Sequence, residues 1–341
     1  MDNRTHASDS TRTIGLVMRK TAALLLTALM LVAAALPPLT ITAEAAAGNY
    51  TGRVFSASIT SDDNATYLQL NANQRLTFNF SYNRTEVRIR MNQTASVPEF
   101  VSMTANPIFS SARWVGNTLV LTLNRRDGFM GYRAQYDENN NIMVRFRNPP
   151  SSMHVTRVVI DPGHGGRDRG AEGFNRDMPE SVINQHMSRF LAEELRARGA
   201  TVLVLDTFTH GMELSERVRQ AEQFNADFLI SVHNNASRNA SATGTEVFFF
   251  TPFSNVLAAT TSRNVSQQLN TINRRGRRAR FAVTRSTQFQ SILVEAGFMT
   301  NRAEHDKLIT PHYQRAVAIG IADAIESVVA HSYPGTGRRI S

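Results

Sequence analysis

An apolar, β-branched run, Val158-Val159-Ile160, stops at Asp161-Pro162-Gly163, and one histidine, His164, follows among glycines. No other stretch constrains the chain as much. Such a run reads as a short buried strand whose end delivers His164 into an open turn, with Gly163, Gly165 and Gly166 permitting left-handed backbone and close approach of a ligand. The ending recurs: Asp227-Phe228-Leu229-Ile230-Ser231-Val232 leads into His233-Asn234-Asn235, and Ser291-Ile292-Leu293-Val294 into Glu295-Ala296-Gly297-Phe298. An open parallel sheet binds ligands beyond the carboxyl ends of its strands. A lone histidine in a glycine turn is equally well explained as structural. Three apolar runs, each ending on a ligand-type residue, argue for a site.

Between these runs the period changes to that of helices. Strands are expected at 155–160, 201–206, 227–233, 245–250 and 291–295, and helices at 180–198, 213–225, 254–270 and 312–330. In the first helix Val182, Ile183, Met187, Phe190, Leu191 and Leu195 share one face, Pro179 suits its start and Gly199 its end. Alternating strands and helices predict an α/β domain with a mostly parallel sheet flanked by helices.

The first half has another texture. Runs such as 66–70, 75–80, 86–91, 118–123 and 142–146 alternate apolar and polar residues, with Asn-rich turns between them, as at Asp137-Glu138-Asn139-Asn140-Asn141. Period-two alternation with regular turns predicts a small all-β module, a sandwich or barrel. The expected organisation is a β module at 48–149, a Pro/Ser linker at 150–153, the α/β domain at 154–331 and a short tail at 332–341. Ahead of these, a polar segment ending in Arg19-Lys20, an apolar stretch from Thr21 to Leu36 and the small-residue run around Ala43–Ala47 match a secretory signal peptide at 1–47. The apolar stretch is short for a membrane span, so contact with the membrane is expected only in transit.

The 37 Lys and Arg residues against 28 Asp and Glu give a formal charge of +9, and all but Lys20 and Lys307 are arginines. Such a chain suits anionic partners, but no helix-turn-helix, zinc finger or aromatic RNA-binding pattern is present, so nucleic acid is not expected. With no cysteine, any metal must rest on His and carboxylate ligands. His164, His233 and Glu180, at the head of the periodic helix, form a set suited to catalytic zinc: three protein ligands and a position left open. A further glutamate that is not a ligand would serve as general base.

The segments Asp161-Pro162-Gly163-His164-Gly165-Gly166, Glu180, Ser231-Val232-His233-Asn234-Asn235-Ala236 and Leu293-Val294-Glu295-Ala296-Gly297-Phe298-Met299-Thr300-Asn301, in that order, resemble the zinc-dependent N-acetylmuramoyl-L-alanine amidases of the bacterial cell wall (the type-3 amidase family). The resemblance covers about residues 155–330. It implies Zn2+ on His164, Glu180 and His233, Glu295 as general base, and peptidoglycan as substrate, cut between N-acetylmuramic acid and L-alanine by a protein secreted to the cell envelope. Asn235 matches the family's asparagine after the second histidine. Arg285 matches the arginine that ends a basic stretch, here enlarged by Arg274, Arg275, Arg277, Arg278 and Arg280, and both are expected on the substrate side. The resemblance implies a wall-targeting role for the β module, AMIN-like as one option, with Arg88, Arg90, Arg125 and Arg126 either facing anionic wall polymers or forming the solvated face of a strand. The chain departs from the family at Asn234, at Gln290-Ser291 where a proline is usual, and at Asp206-Thr207 where a Thr-Arg pair is usual. The competing readings are a zinc peptidase acting on stem peptides and an inactive wall-binding protein.

Overall fold

The structure is a computed structural model that describes residues 52–92 and 95–333. The expected signal peptide, and the tail from 334 onward, lie outside the described residues. Sixteen strands and five α-helices are described.

The first half forms two sheets. One holds β1 (Gly52–Ser61), β2 (Ala65–Ala72), β5 (Ala95–Ser96), β6 (Ser102–Met103), β9 (Tyr132–Tyr136) and β10 (Ile142–Arg147). The other holds β3 (Phe78–Tyr82), β4 (Glu86–Met91), β7 (Phe109–Val115) and β8 (Thr118–Leu123). Alternation places Val54, Ile59, Leu68, Leu70 and Val144 of the first sheet against Val87, Ile89, Leu119 and Leu121 of the second, in one buried cluster. That is a sandwich, one of the two forms, sandwich or barrel, that the period-two pattern predicts.

The second half is an α/β unit around one sheet, in the order β12 (Thr201–Val204), β11 (Arg157–Pro162), β13 (Phe228–Asn235), β16 (Gln290–Phe298), β14 (Thr245–Phe249) and β15 (Asn273–Arg278). The sheet is mixed: β12, β11, β13 and β16 pair in parallel, β14 runs antiparallel to β16, and β15 is parallel to β14. Val158 and Ile160 face α1 (Glu180–Ala197), α3 (Asn255–Gln268) and α5 (Pro311–Ser332), through Ile183, Met187, Leu257, Val317 and Ile321. Val159 and Leu229 face the opposite way, toward Ala221 of α2 (Leu214–Gln223). Runs that are apolar on both faces are what a covered sheet requires.

One strand and one α-helix of this unit were not expected. Arginine is no strong strand former, yet Asn273–Arg278 pairs with β14 as an edge strand. The short α4 (Arg302–Leu308) is capped by Asn301, whose side chain accepts the Glu304 N–H. Asn-x-x-Glu is a capping signature that could have revealed it.

The expected linker is packed rather than free: Pro149 and Pro150 are buried, and Met153–Val155 forms a 3-10 turn. The reason lies beside it. Arg147 of β10 is buried, and its guanidinium bonds Asp227 at 3.0 Å, the Asn225 side chain at 2.7 Å and the Gln288 carbonyl at 2.9 Å. Phe253 inserts into the sandwich core, edge-on to Phe129. All these residues lie in one unit of the chain.

Candidate active site

His164 leaves β11 with φ +65, an uncommon backbone for a residue with a Cβ, followed by Gly165 at +122 and Gly166 at +59. A non-glycine residue held there carries strain of about 1 kcal/mol or more, the kind that persists where surrounding contacts over-determine the turn. They do so here. Gly165 and Asp168 exchange backbone hydrogen bonds. Buried Arg217 reaches from α2 to the Asp161 carboxylate at 2.7 Å, the Pro162 carbonyl at 3.0 Å and the His164 carbonyl at 3.1 Å. Gly163 is glycine for space rather than for φ, since an added Cβ would strike the His233 ring.

Three elements bring the three expected ligands together. Donor atoms of His164, Glu180 and His233 all lie within 4.8 Å of one another. His164 Nε2 is 3.0 Å from Glu180 Oε2, His233 Nδ1 is 3.0 Å from Glu180 Oε1, and the rings meet edge-to-face at 4.9 Å. Pro179 is the N-cap of α1 and Glu180 its first residue. The carboxylate is fixed by the Ala171 N–H at 2.8 Å, the Asn234 N–H at 3.1 Å and the Asn184 amide at 3.3 Å. Burial opposes its charge, but the hydrogen bonds from the two imidazoles win and hold it well below the ordinary glutamate value. Burial also disfavours a charged His164. Asp168, 2.7 Å from Nδ1, and Glu180 outweigh that and push its pKa up to about 10. A site that holds a proton so strongly on an imidazole is a site of negative potential. Two imidazoles and a carboxylate, with a second carboxylate orienting one ring, are the donors and the support that zinc uses, so the residues fit the metal.

Glu295 stands opposite His233 across the parallel pairing of β13 and β16. Its Oε2 is buried and has no hydrogen-bond partner among the described residues. Burial, and then the charges of Glu180 and Glu246, push its pKa well above the glutamate value. A carboxylate oxygen buried without a partner is costly, and perturbed acids of this kind concentrate where proton transfer is done.

Sequence reasoning missed three of the residues around this set. Asp168 orients His164, and its signal was an acidic residue four positions after the histidine. Asn184 is one turn beyond Glu180; its amide donates to Glu180 Oε1 and its oxygen accepts from Asn234 at 2.8 Å. Glu246, on β14, faces Glu295 in antiparallel register, is buried, and pairs with Arg277 at 2.9 Å and Arg274 at 3.7 Å.

The two residues expected on the substrate side are placed differently. Asn235 is buried, and its amide is spent on Glu246 at 2.8 Å, so it supports the site from behind. Arg285 is exposed in the segment that leads from β15 to the head of β16. Its neighbours Ser286 and Thr287 bond Glu222, at the end of α2, and the Tyr132 N–H. That is the edge of the sheet where β13 and β16 begin, whereas His233 and Glu295 lie where they finish. The departures from the family pattern have structural roles: Thr207 donates to the Pro162 carbonyl, and the Ser291 N–H to Ser254.

The family profile described as N-acetylmuramoyl-L-alanine amidase matches residues 158–327. Among curated relatives, the uncharacterized protein YqiI of Bacillus subtilis is 36% identical over 174 residues, which are 50% of this chain and 83% of that protein. The probable cell wall amidase LytH of Staphylococcus saprophyticus is 25% identical over 244 residues, 71% of this chain and 81% of that protein. Among solved structures, the catalytic domain of the N-acetylmuramoyl-L-alanine amidase CwlV from Bacillus (Paenibacillus) polymyxa is 31% identical. It covers 50% of this chain and 96% of its own, with a TM-score of 0.48.

Proposed function

The chain belongs to the N-acetylmuramoyl-L-alanine amidase family, and we propose that it cuts peptidoglycan outside the cytoplasm with zinc held by His164, Glu180 and His233. Glu295 is its general base. The observation that carries this reading is the conjunction of a three-donor cluster with a carboxylate one strand away whose buried Oε2 no described residue bonds. Bound to the cluster, zinc would supply a Lewis acid that polarises the scissile carbonyl and brings the pKa of a water toward about 7.

The chain's own residues do the rest. Asp168 fixes the His164 ring through Nδ1 and turns Nε2 toward Glu180. Glu295, raised in pKa, takes a proton from the attacking water and delivers it to the departing L-alanine nitrogen, as an acid poised to hold a proton can. Its Oε2 is available for this because no described residue bonds it. The β sandwich fits a wall-binding platform fixed to the catalytic unit by Arg147. Export follows from the segment expected at 1–47.

Digestion of purified peptidoglycan, with and without a chelator, tests the reading. Chelator-sensitive appearance of N-terminal L-alanine, with glycan strands stripped of peptide, is the expected result. New termini inside the stem peptide would identify a peptidase, and binding without cleavage by the zinc-loaded protein would make it a wall-binding protein.

A further inference from the structure

Five arginines stand between Arg274 and Arg280, and their sequence does not distinguish one from another. The structure does. Arg278 donates to the Phe250 carbonyl and lies over the Phe250 ring, so it is anchored just past the end of β14. Arg274 donates to the Thr243 carbonyl and lies over Phe298. Arg275 occupies a left-handed position, φ +72, where the pairing of β14 and β15 shifts register. Arg277 differs from these three. Its Nη1 sits 2.9 Å from Oε2 of buried Glu246, its side chain is 58% exposed, and its Nε and Nη2 have no partner among the described residues.

Glu246 in turn faces Glu295 across the strand pair, and Glu295 faces His233. Residues so paired project from one face of a sheet, with Cβ atoms about 5 Å apart. The order along that face is metal-ligand candidate, general base, buried carboxylate, exposed guanidinium. Two arginines stand against the single Glu246 carboxylate, which leaves one positive charge to be matched. The Nε–Nη2 edge of a guanidinium is the fork that grips a carboxylate through two parallel hydrogen bonds. An extended peptide advances about 3.3 Å per residue, so a chain whose scissile amide lies at Glu295 brings its next residue or two within reach of that fork.

We propose that Arg277, seated on Glu246, binds a free carboxylate of the stem peptide one or two residues beyond the scissile amide, and makes the site selective for peptides acidic there. The proposal rests on the amidase reading above and deepens it. An amide at that position presents one donor group where the fork needs two acceptor oxygens, and a site built for hydrogen bonds rejects a poor partner strongly.

The test compares muramoyl tripeptides whose second residue is a glutamate linked to the third through its γ-carboxyl, identical except that its α-carboxyl is free or amidated. The expected wild-type result is a kcat/KM at least about tenfold higher for the free acid. Arg277→Gln removes that preference by raising KM for the acid, leaves the amidated peptide within about twofold of wild type, and Arg275→Gln changes neither. A preference that survives Arg277→Gln, or no preference in the wild type, overturns the proposal. So does an equal loss on both peptides, which would make Arg277 only a support for Glu246. If the wild type cleaves neither peptide, the amidase reading itself fails and takes this inference with it.

Discussion

Asp227 and Glu295 sit toward opposite ends of two neighbouring strands of one sheet, and desolvation raises the pKa of each. Asp227 precedes β13. One oxygen pairs with Arg147 at 3.0 Å and the other accepts the Arg157 N–H at 2.8 Å. Glu295 lies near the end of β16, with the acids Glu180 and Glu246 for neighbours and Oε2 left unpartnered. At the first end the buried charge is spent on structure, joining the β sandwich to the α/β unit. At the second it is kept available. On the proposed reading, a carboxylate of this sheet is structural or reactive according to whether a cation reaches it.

The sharpest way to break this comparison is Glu295→Gln. Hydrolysis is expected to fall by about 10²- to 10⁴-fold, while metal content, measured by atomic emission, stays at the wild-type level. The same variant has a stability signature. Because folding raises the Glu295 pKa, the folded chain binds more protons than the unfolded one above the ordinary glutamate value. Stability is therefore lost as pH rises from there through the folded pKa. Metal-free Glu295→Gln should melt about 2–4 °C higher than metal-free wild type at pH 7–8, with the gain shrinking toward pH 4. A lower melting temperature at neutral pH would make Glu295 a structural group.

At the other end, Arg147→Met leaves Asp227 buried without its cation. The expected cost is about 3–5 kcal/mol in denaturant unfolding, with kcat/KM per folded molecule unchanged. A catalytic defect matching that of Glu295→Gln would erase the distinction between the two ends. The smallest effect is expected from Arg285→Ala, which should change stability by no more than about 0.5 kcal/mol and leave kcat/KM as it was. A tenfold fall in kcat/KM would return Arg285 to the substrate side.

Much of the site is legible along the chain because its signals are local. A β-branched run that stops at glycine or a ligand-type residue needs no knowledge of the rest of the molecule, and three such runs located His164, His233 and Glu295. The helix beginning at Glu180 was equally local, written in its period and in Pro179. Arg285 stands by the start of β16, away from His233, because adjacency to a strand in sequence does not say which end of that strand is near. Asn235 follows the histidine by two, and β alternation could have shown that it shares the histidine's face. Its burial under Glu246 could not be read there, since Glu246 belongs to another strand.

The sequence by itself determined the elements, the donor types and their order, for these depend on propensity, period and turn chemistry within a few residues. Tertiary structure decided the rest. It turned β14 antiparallel, so that Glu246 meets Glu295, and it recruited an arginine-rich segment as the outer strand, so that Arg277 covers Glu246. It also sent Arg147 from the sandwich to Asp227. Strand direction, pairing partners and burial are set by which surfaces exclude water together across the whole fold. A buried charge acquires its role only when the distant residue that neutralises it, or fails to, is in place.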